Sequence, residues 1–204
     1  MHPREIGKRA LGFLETRSLA RGIVCADAMV KTAPVRLSLL APVSRGRMLV
    51  AIDGEVAPVE SALAAGLDRA GDELVDALFL ADLHPGVPAA LAADGPREVG
   101  EALGLVETAT AAAAVRAADA ALKTADVRLV RLRLARGIGG KGLLELSGPV
   151  SMVEAGVAAA AAAVEHREFL LATEIIPSLH GDVRRWCARP LRGDDGPFDP
   201  PPEG

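Results

Sequence analysis

The sequence predicts an α+β fold, α/β in the broad sense, built as two tandem βαββαβ, ferredoxin-like units. Three observations carry that expectation. ADAMVKTAPVRL at residues 26–37 returns as ADAALKTADVRL at 118–129, with nine of twelve positions identical, Asp27/Asp119, Lys31/Lys123, Thr32/Thr124 and Arg36/Arg128 among them. Short apolar runs of strand length alternate with longer stretches whose apolar residues recur every three to four positions. The 204 residues are 50% hydrophobic, core material enough for two small domains.

The repeat extends well beyond the twelve residues. Ala10-Leu11-Gly12 faces Ala102-Leu103-Gly104, and Glu15-Thr16 faces Glu107-Thr108, both at an offset of 92. GEV at 54–56 faces GPV at 148–150 at an offset of 94, and Leu83-His84 faces Leu179-His180 at 96, so the second copy carries small insertions. A long unit present twice is a duplicated domain rather than a solenoid, which needs about three or more short units.

Each element follows from its pattern. Residues 10–16 and 102–108 are apolar runs ending in a polar pair and read as strands. Leu19, Ile23, Ala26 and Val30 share one helical face, matched by Ala111, Val115, Ala118 and Leu122 in the second copy. Val35–Ala41 and Met48–Ile52 read as strands, with Asp53-Gly54 as the turn into a helix whose inward stripe is Val56, Val59, Leu63, Leu67 and Ala70. Leu74–Leu80 is the last strand, with Phe169–Ile176 as its counterpart. The units span residues 9–84 and 101–180. A Pro- and Gly-containing linker at 85–100 joins them, and a C-terminal extension, 181–204, reads as mobile from about residue 190.

Composition removes several function classes. A net charge of −4 from 23 basic and 27 acidic residues gives no overall pull toward nucleic acid or an anionic membrane. With no Tyr and five other aromatics, base-stacking platforms are not expected. The apolar run at 155–164 is too short to span a bilayer, and the opening MHPREIGKRA lacks the apolar core of a secretion signal. Two cysteines make no disulfide framework, so a reduced, cytoplasmic protein is expected.

Few motifs survive inspection as chemistry. Gly137–Gly142 matches G-x-G-x-x-G, but a strand, LLELSG, follows it where a dinucleotide site needs a helix N-terminus. A Gly-rich loop joining two strands is expected, in the place where the first unit has Ser44–Arg47. His84 and His180 occupy equivalent positions without an accompanying ligand cluster, so no metal is expected. Cys25 lies among apolar helix neighbours as a buried small hydrophobe, and Glu15 and Glu107 end equivalent strands in a structural or edge role. Lys31 and Lys123 suit the C-terminal end of a helix dipole, although that alone does not explain why the whole A-D-A-x-x-K-T-A block recurs. No nucleophile, acid–base pair or cofactor site emerges, and an enzyme is not expected.

At that block the sequence resembles a known family. LGFLETRSLARGIVCADAMVKTA and LGLVETATAAAAVRAADAALKTA are both similar to the opening of a bacterial microcompartment shell (BMC) domain, and the D-G-E-V-x-x-V-E and S-G-P-V-x-x-V-E segments are similar to its later turn and second helix. Each half begins with the L-G-x-x-E-T strand, which looks like the unpermuted order. Two such domains in one chain resemble the tandem, trimer-forming class. The resemblance implies a homotrimer with six domains around its axis, a pseudohexagonal tile that packs with hexameric and pentameric tiles around encapsulated enzymes.

It also implies sites. Lys31 and Lys123, with His84 and His180, match tile-edge positions, while Asp82 and Ser178 stand where the family usually has an arginine. Ser44, Arg45 and Gly46, with Ile138, Gly139 and Gly140, match the pore loop. Three Arg45 side chains alternating with Gly139, with Arg47, Arg136 and Lys141 nearby, would favour small anionic metabolites. Some tandem shell proteins hold an iron–sulfur cluster on a pore cysteine; neither Cys25 nor Cys187 falls in these loops, and no cofactor is expected. The other reading is a duplicated small-molecule-binding regulatory sensor with the same element order. The paired lysines and Gly-rich loops favour the shell.

Overall fold

A computed structural model describes residues 10–92, 98–165 and 168–189. The first unit runs β1 (Ala10–Thr16), α1 (Leu19–Thr32), β2 (Arg36–Val43), β3 (Arg47–Gly54), α2 (Val56–Ala70) and β4 (Leu74–Leu80). α3 (Gly86–Ala92) follows. The second unit repeats the order as β5 (Ala102–Thr108), α4 (Ala111–Thr124), β6 (Arg128–Leu134), β7 (Gly142–Gly148), α5 (Val150–Glu165) and β8 (Leu170–Ile176), and α6 (Gly181–Cys187) comes last. The two sheets have orders β2-β3-β1-β4 and β6-β7-β5-β8, with antiparallel neighbours throughout, so the expected βαββαβ, ferredoxin-like architecture is present twice. Even the irregularities repeat: a register shift falls between Leu37 and Leu39 and again between Leu129 and Arg131.

Local chemistry explains the boundaries. Ser18 and Thr110 cap α1 and α4, each side-chain oxygen accepting the N–H of the third residue on, Arg21 or Ala113. Lys31 and Lys123 sit in the last turns, where a cation suits the helix dipole. Gly71, at φ +52, ends α2 while its N–H bonds the Leu67 carbonyl. The Asp53-Gly54 pair, expected as a turn, forms the end of β3 instead, because both residues pair with β1.

The segment expected to be a linker is more structured than its prolines and glycines suggest. α3 lies inside it with Val87 and Ala90 buried, because it packs on β6 and the end of α4 rather than running through solvent. α6 occupies the start of the C-terminal extension; residues 190–204, expected to be mobile, lie outside the described residues.

The helix faces also differ from expectation. In α2, Val59, Leu63 and Ala70 point into the core as the stripe predicts, with Val56 left exposed. In α1 the core receives Gly22, Cys25, Ala26 and Met29, while Leu19, Ile23 and Val30 are exposed. Their counterparts Ala111 and Val115 in α4 are buried. α1 thus has two apolar faces, and periodicity does not say which one meets its own sheet. Cys25 is fully buried, and burial pushes its thiol up despite nearby Arg21, as suits an inert core residue.

Helix and sheet fit by trading size between copies. In the first unit Gly22 on α1 makes room for Met48 on β3, and in the second Ala114 on α4 faces Gly142 on β7. A Cβ at position 142 would lie 2.3 Å from the Ala114 Cβ and 2.5 Å from Thr108 Oγ1. Gly142→Ala is therefore predicted to destabilise the chain by about 1–3 kcal/mol through overpacking. A lowered urea midpoint with unchanged slope would show it, and adding Ala114→Gly should recover part of the loss.

Candidate functional site

Two features of the fold gather polar side chains: the seam where the second unit's α4 lies against β1 and β4 of the first, and the pair of loops beside that seam. In the seam, Glu15 at the end of β1 is fully buried. One carboxylate oxygen receives the Arg47 guanidinium at 2.7 Å, and the other accepts the first N–H of α4, from Ala111, at 3.0 Å. That placement satisfies an otherwise orphaned helix donor and sets a negative charge at the positive end of the helix. Next to it, Thr110 Oγ1 donates to Asp76 at 2.6 Å, and Arg116 reaches the Ala77 carbonyl. At the other end of α4, Asp119 accepts the His84 N–H at 2.8 Å and the Lys123 ammonium at 2.6 Å, while Lys123 also donates to the Asp82 carbonyl.

The loops are built from left-handed backbone. Ser44–Gly46 is a 3₁₀ turn in which Arg45 and Gly46 have φ of +67° and +68°. Gly137, Gly139 and Gly140 share that conformation in the longer loop between β6 and β7, which costs glycine little. The two loops touch. Gly137 N–H donates to Ser44 Oγ at 3.0 Å, and Arg47 donates to the Gly140 carbonyl at 3.3 Å. Glycine is favoured at 140 by its φ of +84°, and a Cβ there would also press on Arg45 Cδ and Arg47 Nη1, both at 3.2 Å.

The sequence-derived residues are sorted by this geometry. Ser44, Arg45 and Gly46 are brought beside Ile138, Gly139 and Gly140. His84 and Lys123 meet around Asp119 inside the chain, whereas Lys31 pairs with Asp27 on the exposed face of α1 and His180 caps α6 in the open. Arg47 and Lys141, counted with the loop cations, are turned into ion pairs with Glu15 and Glu107. Arg45 and Arg136 are exposed and make no ion pair among the described residues. Neither loop contains a cysteine, so they offer no thiolate to a cluster; among the described residues no group of three or more His, Cys, Asp or Glu could hold a metal ion. No described helix is long and apolar enough to cross a membrane. Sequence reasoning missed the Asp76–Thr110 contact and the Glu15–Arg47 pair, whose members are far apart in the chain and meet only on folding.

The BMC-domain family model matches residues 10–83 and again 102–179. The chain belongs to that family. It is similar to the bacterial microcompartment shell protein PduT of Citrobacter freundii, 37% identical over 177 residues that cover 87% of this chain and 96% of that protein. A crystal structure of a microcompartments protein from Desulfitobacterium hafniense superimposes with a TM-score of 0.78 at 40% identity, covering 88% of this chain and 99% of that one. The carboxysome shell protein CsoS1B of Halothiobacillus neapolitanus is 45% identical over 78 residues, 37% of this chain and 71% of its own length. This chain is accordingly a tandem-domain shell protein of a bacterial microcompartment. Its role is structural rather than enzymatic, and nothing in these relatives favours the regulatory-sensor reading.

The copies of the strand-end glutamate should behave unequally in the isolated chain. Glu15→Ala strands the Ala111 N–H and the Arg47 guanidinium in the seam, so a loss of about 3–5 kcal/mol is predicted. Glu107→Ala breaks an exposed pair with Lys141 and should cost about 1 kcal/mol or less. Urea unfolding of the two variants checks the contrast. The Glu15 carboxyl also has a signature in pH: burial pushes it above the usual carboxylate range, with Arg47 and the Ala111 N–H pulling it partly back. The native chain then holds that proton more tightly than the unfolded chain does, so this group's contribution to stability falls as pH rises from the ordinary value through the raised one. Glu15→Gln should flatten that part of the stability profile.

Proposed function

We propose that three copies close head to tail into a six-domain, pseudohexagonal tile with a central opening, and that the tile packs with other shell proteins into the microcompartment wall. The observation that carries this reading is an unequal burial of equivalent surfaces. Val115 on α4 is 1% exposed because β1 and β4 cover that face, while its counterpart Ile23 on α1 is 52% exposed. Leu19, Val24 and Val30 are exposed beside it. The complementary surface is also uncovered: Leu171 is exposed and β8 is mostly open where β4 is largely shielded. A chain that makes a contact once internally, and keeps both halves of the same contact open at its ends, has the surfaces of a heterologous ring.

The seam supplies the pairings. By equivalence, Glu107 accepts the Leu19 N–H of the next copy as Glu15 accepts that of Ala111. Asp27 accepts the His180 N–H as Asp119 accepts that of His84. Leu19, Ile23, Val24 and Val30 are about half exposed in the single chain, so covering each of them contributes at most about 1 kcal/mol to closure. The exposed parts of Lys31 and Lys123, with His84 and His180 nearby, serve the tile edge. The touching loops, three pairs in all, surround the opening. With Arg47 and Lys141 neutralised by glutamates, its positive field comes from Arg45 and Arg136 and favours small anionic metabolites.

Sedimentation of the purified protein should give about three times the 21.0 kDa chain mass. Ile23→Asp, which alters a side chain exposed in the single chain, should leave the fold intact by circular dichroism and the protein monomeric. A monomeric wild type, or a variant that still forms trimers, would count against the ring. For the opening, Arg45→Ala should shift the ion selectivity of tiles reconstituted in a planar bilayer toward cations. Unchanged selectivity would remove Arg45 from that role.

A further inference from the structure

Val183 and Trp186 lie on one face of α6, and both are exposed. Their counterparts, at the offset of 96 that closes the repeat, are Val87 and Ala90 on α3, and both are buried. The difference is Trp186 at 51% exposed against Ala90 at 9%. α3 is buried because it crosses out of its own unit and lies against β6 of the other, in one apolar cluster with Leu132. β2, the counterpart of β6, has no such cover: Leu40 is 41% exposed where Leu132 is 6%, and Leu37 is exposed with it.

We infer that α6 is an arm that seats Val183 and Trp186 on β2 of the next copy, over Leu37 and Leu40, as α3 seats Val87 and Ala90 on β6 within the chain. This rests on the head-to-tail ring proposed above and assigns its second contact surface, separate from the α1 face. The occupant is a second copy of this chain, because the chain already shows the same docking once with its own residues. The arm is also held ready. Arg131 bonds Glu145 at 3.1 Å across the sheet and donates to the Cys187 and Arg189 carbonyls at 2.9 and 2.8 Å, fixing the end of α6 to its own unit. Cys187 and Ala188 pack inward on Leu103 and Val130, which leaves the Val183 and Trp186 face outward. The first unit has Leu39 and Ala51 at the places of Arg131 and Glu145, so this clamp is peculiar to the arm.

A tryptophan in place of the alanine brings a much larger apolar surface to the contact between copies than the internal contact needs. The Arg189 guanidinium stacks over its ring at 5.2 Å in the single chain, shielding one face before assembly. Trp186 is the only tryptophan, and the chain has no tyrosine, so its emission reports this surface alone.

The test measures tryptophan emission and acrylamide quenching of the full-length protein across a dilution series, with native mass determined on the same samples. The inference predicts a blue-shifted emission in the trimer and quenching several-fold weaker than in the dissociated chain. It also predicts that Leu40→Lys, a change at a residue exposed in the single chain, returns the trimer's emission toward that of the dissociated chain. A trimer whose Trp186 stays red-shifted and freely quenched, or a Leu40→Lys trimer with unchanged emission, would overturn the arm and leave the ring standing. A protein that is monomeric at every concentration would overturn the ring and the arm together.

Discussion

Glu15 has one oxygen on the Arg47 guanidinium and the other on the first N–H of α4, and the way the two units meet depends on that arrangement. Glu15 is fully buried and Arg47 largely so, and losing either partner leaves the other unsatisfied inside the seam. Arg47 extends the constraint outward by donating to the Gly140 carbonyl, which ties the β2–β3 turn of one unit to the Gly-rich loop of the other. The ion pair thereby links the contact between the units to the closeness of the two loops that flank the proposed opening.

A shell tile needs flat, repeatable contacts, and duplication inside one chain lets the two copies of each contact differ. The seam within the chain is permanent and carries Asp76 against Thr110, whereas its counterpart in the proposed ring would set Ala172 against Ser18. The buried Glu15–Arg47 pair becomes the half-exposed Glu107–Lys141 pair. The Ala-rich face of α4 suits close intramolecular packing, and the larger Leu19 and Ile23 of α1, where α4 has Ala111 and Val115, suit the proposed interface, which must stabilise association without a covalent link. In the proposed ring, divergence between the halves follows which contacts are internal and which face a neighbour.

Much of this was legible in the sequence. The near-identical blocks at 26–37 and 118–129 give the duplication, and the alternation of strand and helix patterns gives βαββαβ in each half. The Gly-rich loop between strands was readable because a strand and not a helix follows it. What periodicity could not supply was the partner of each apolar surface. Leu19, Ile23 and Val30 have helical spacing, yet α1 turns Gly22, Cys25 and Met29 inward, since a helix with two apolar faces offers no local clue to which one is covered. α3 reads as linker in the sequence because the segment at 84–102 carries three prolines and three glycines; its burial comes from contacts with β6, far along the chain. Arg47 looked like a loop cation until folding turned it onto Glu15.

The most direct measurement uses the Thr110–Asp76 contact as a template for its open counterpart. In a protein carrying Ser18→Cys and Ala172→Cys, oxidation should link copies head to tail, because these positions match Thr110 and Asp76 in register. A denaturing, non-reducing gel should then show one-, two- and three-chain species, with the series ending at three as the ring closes. A failure to link chains, or a ladder that runs past three, would contradict the closed head-to-tail ring.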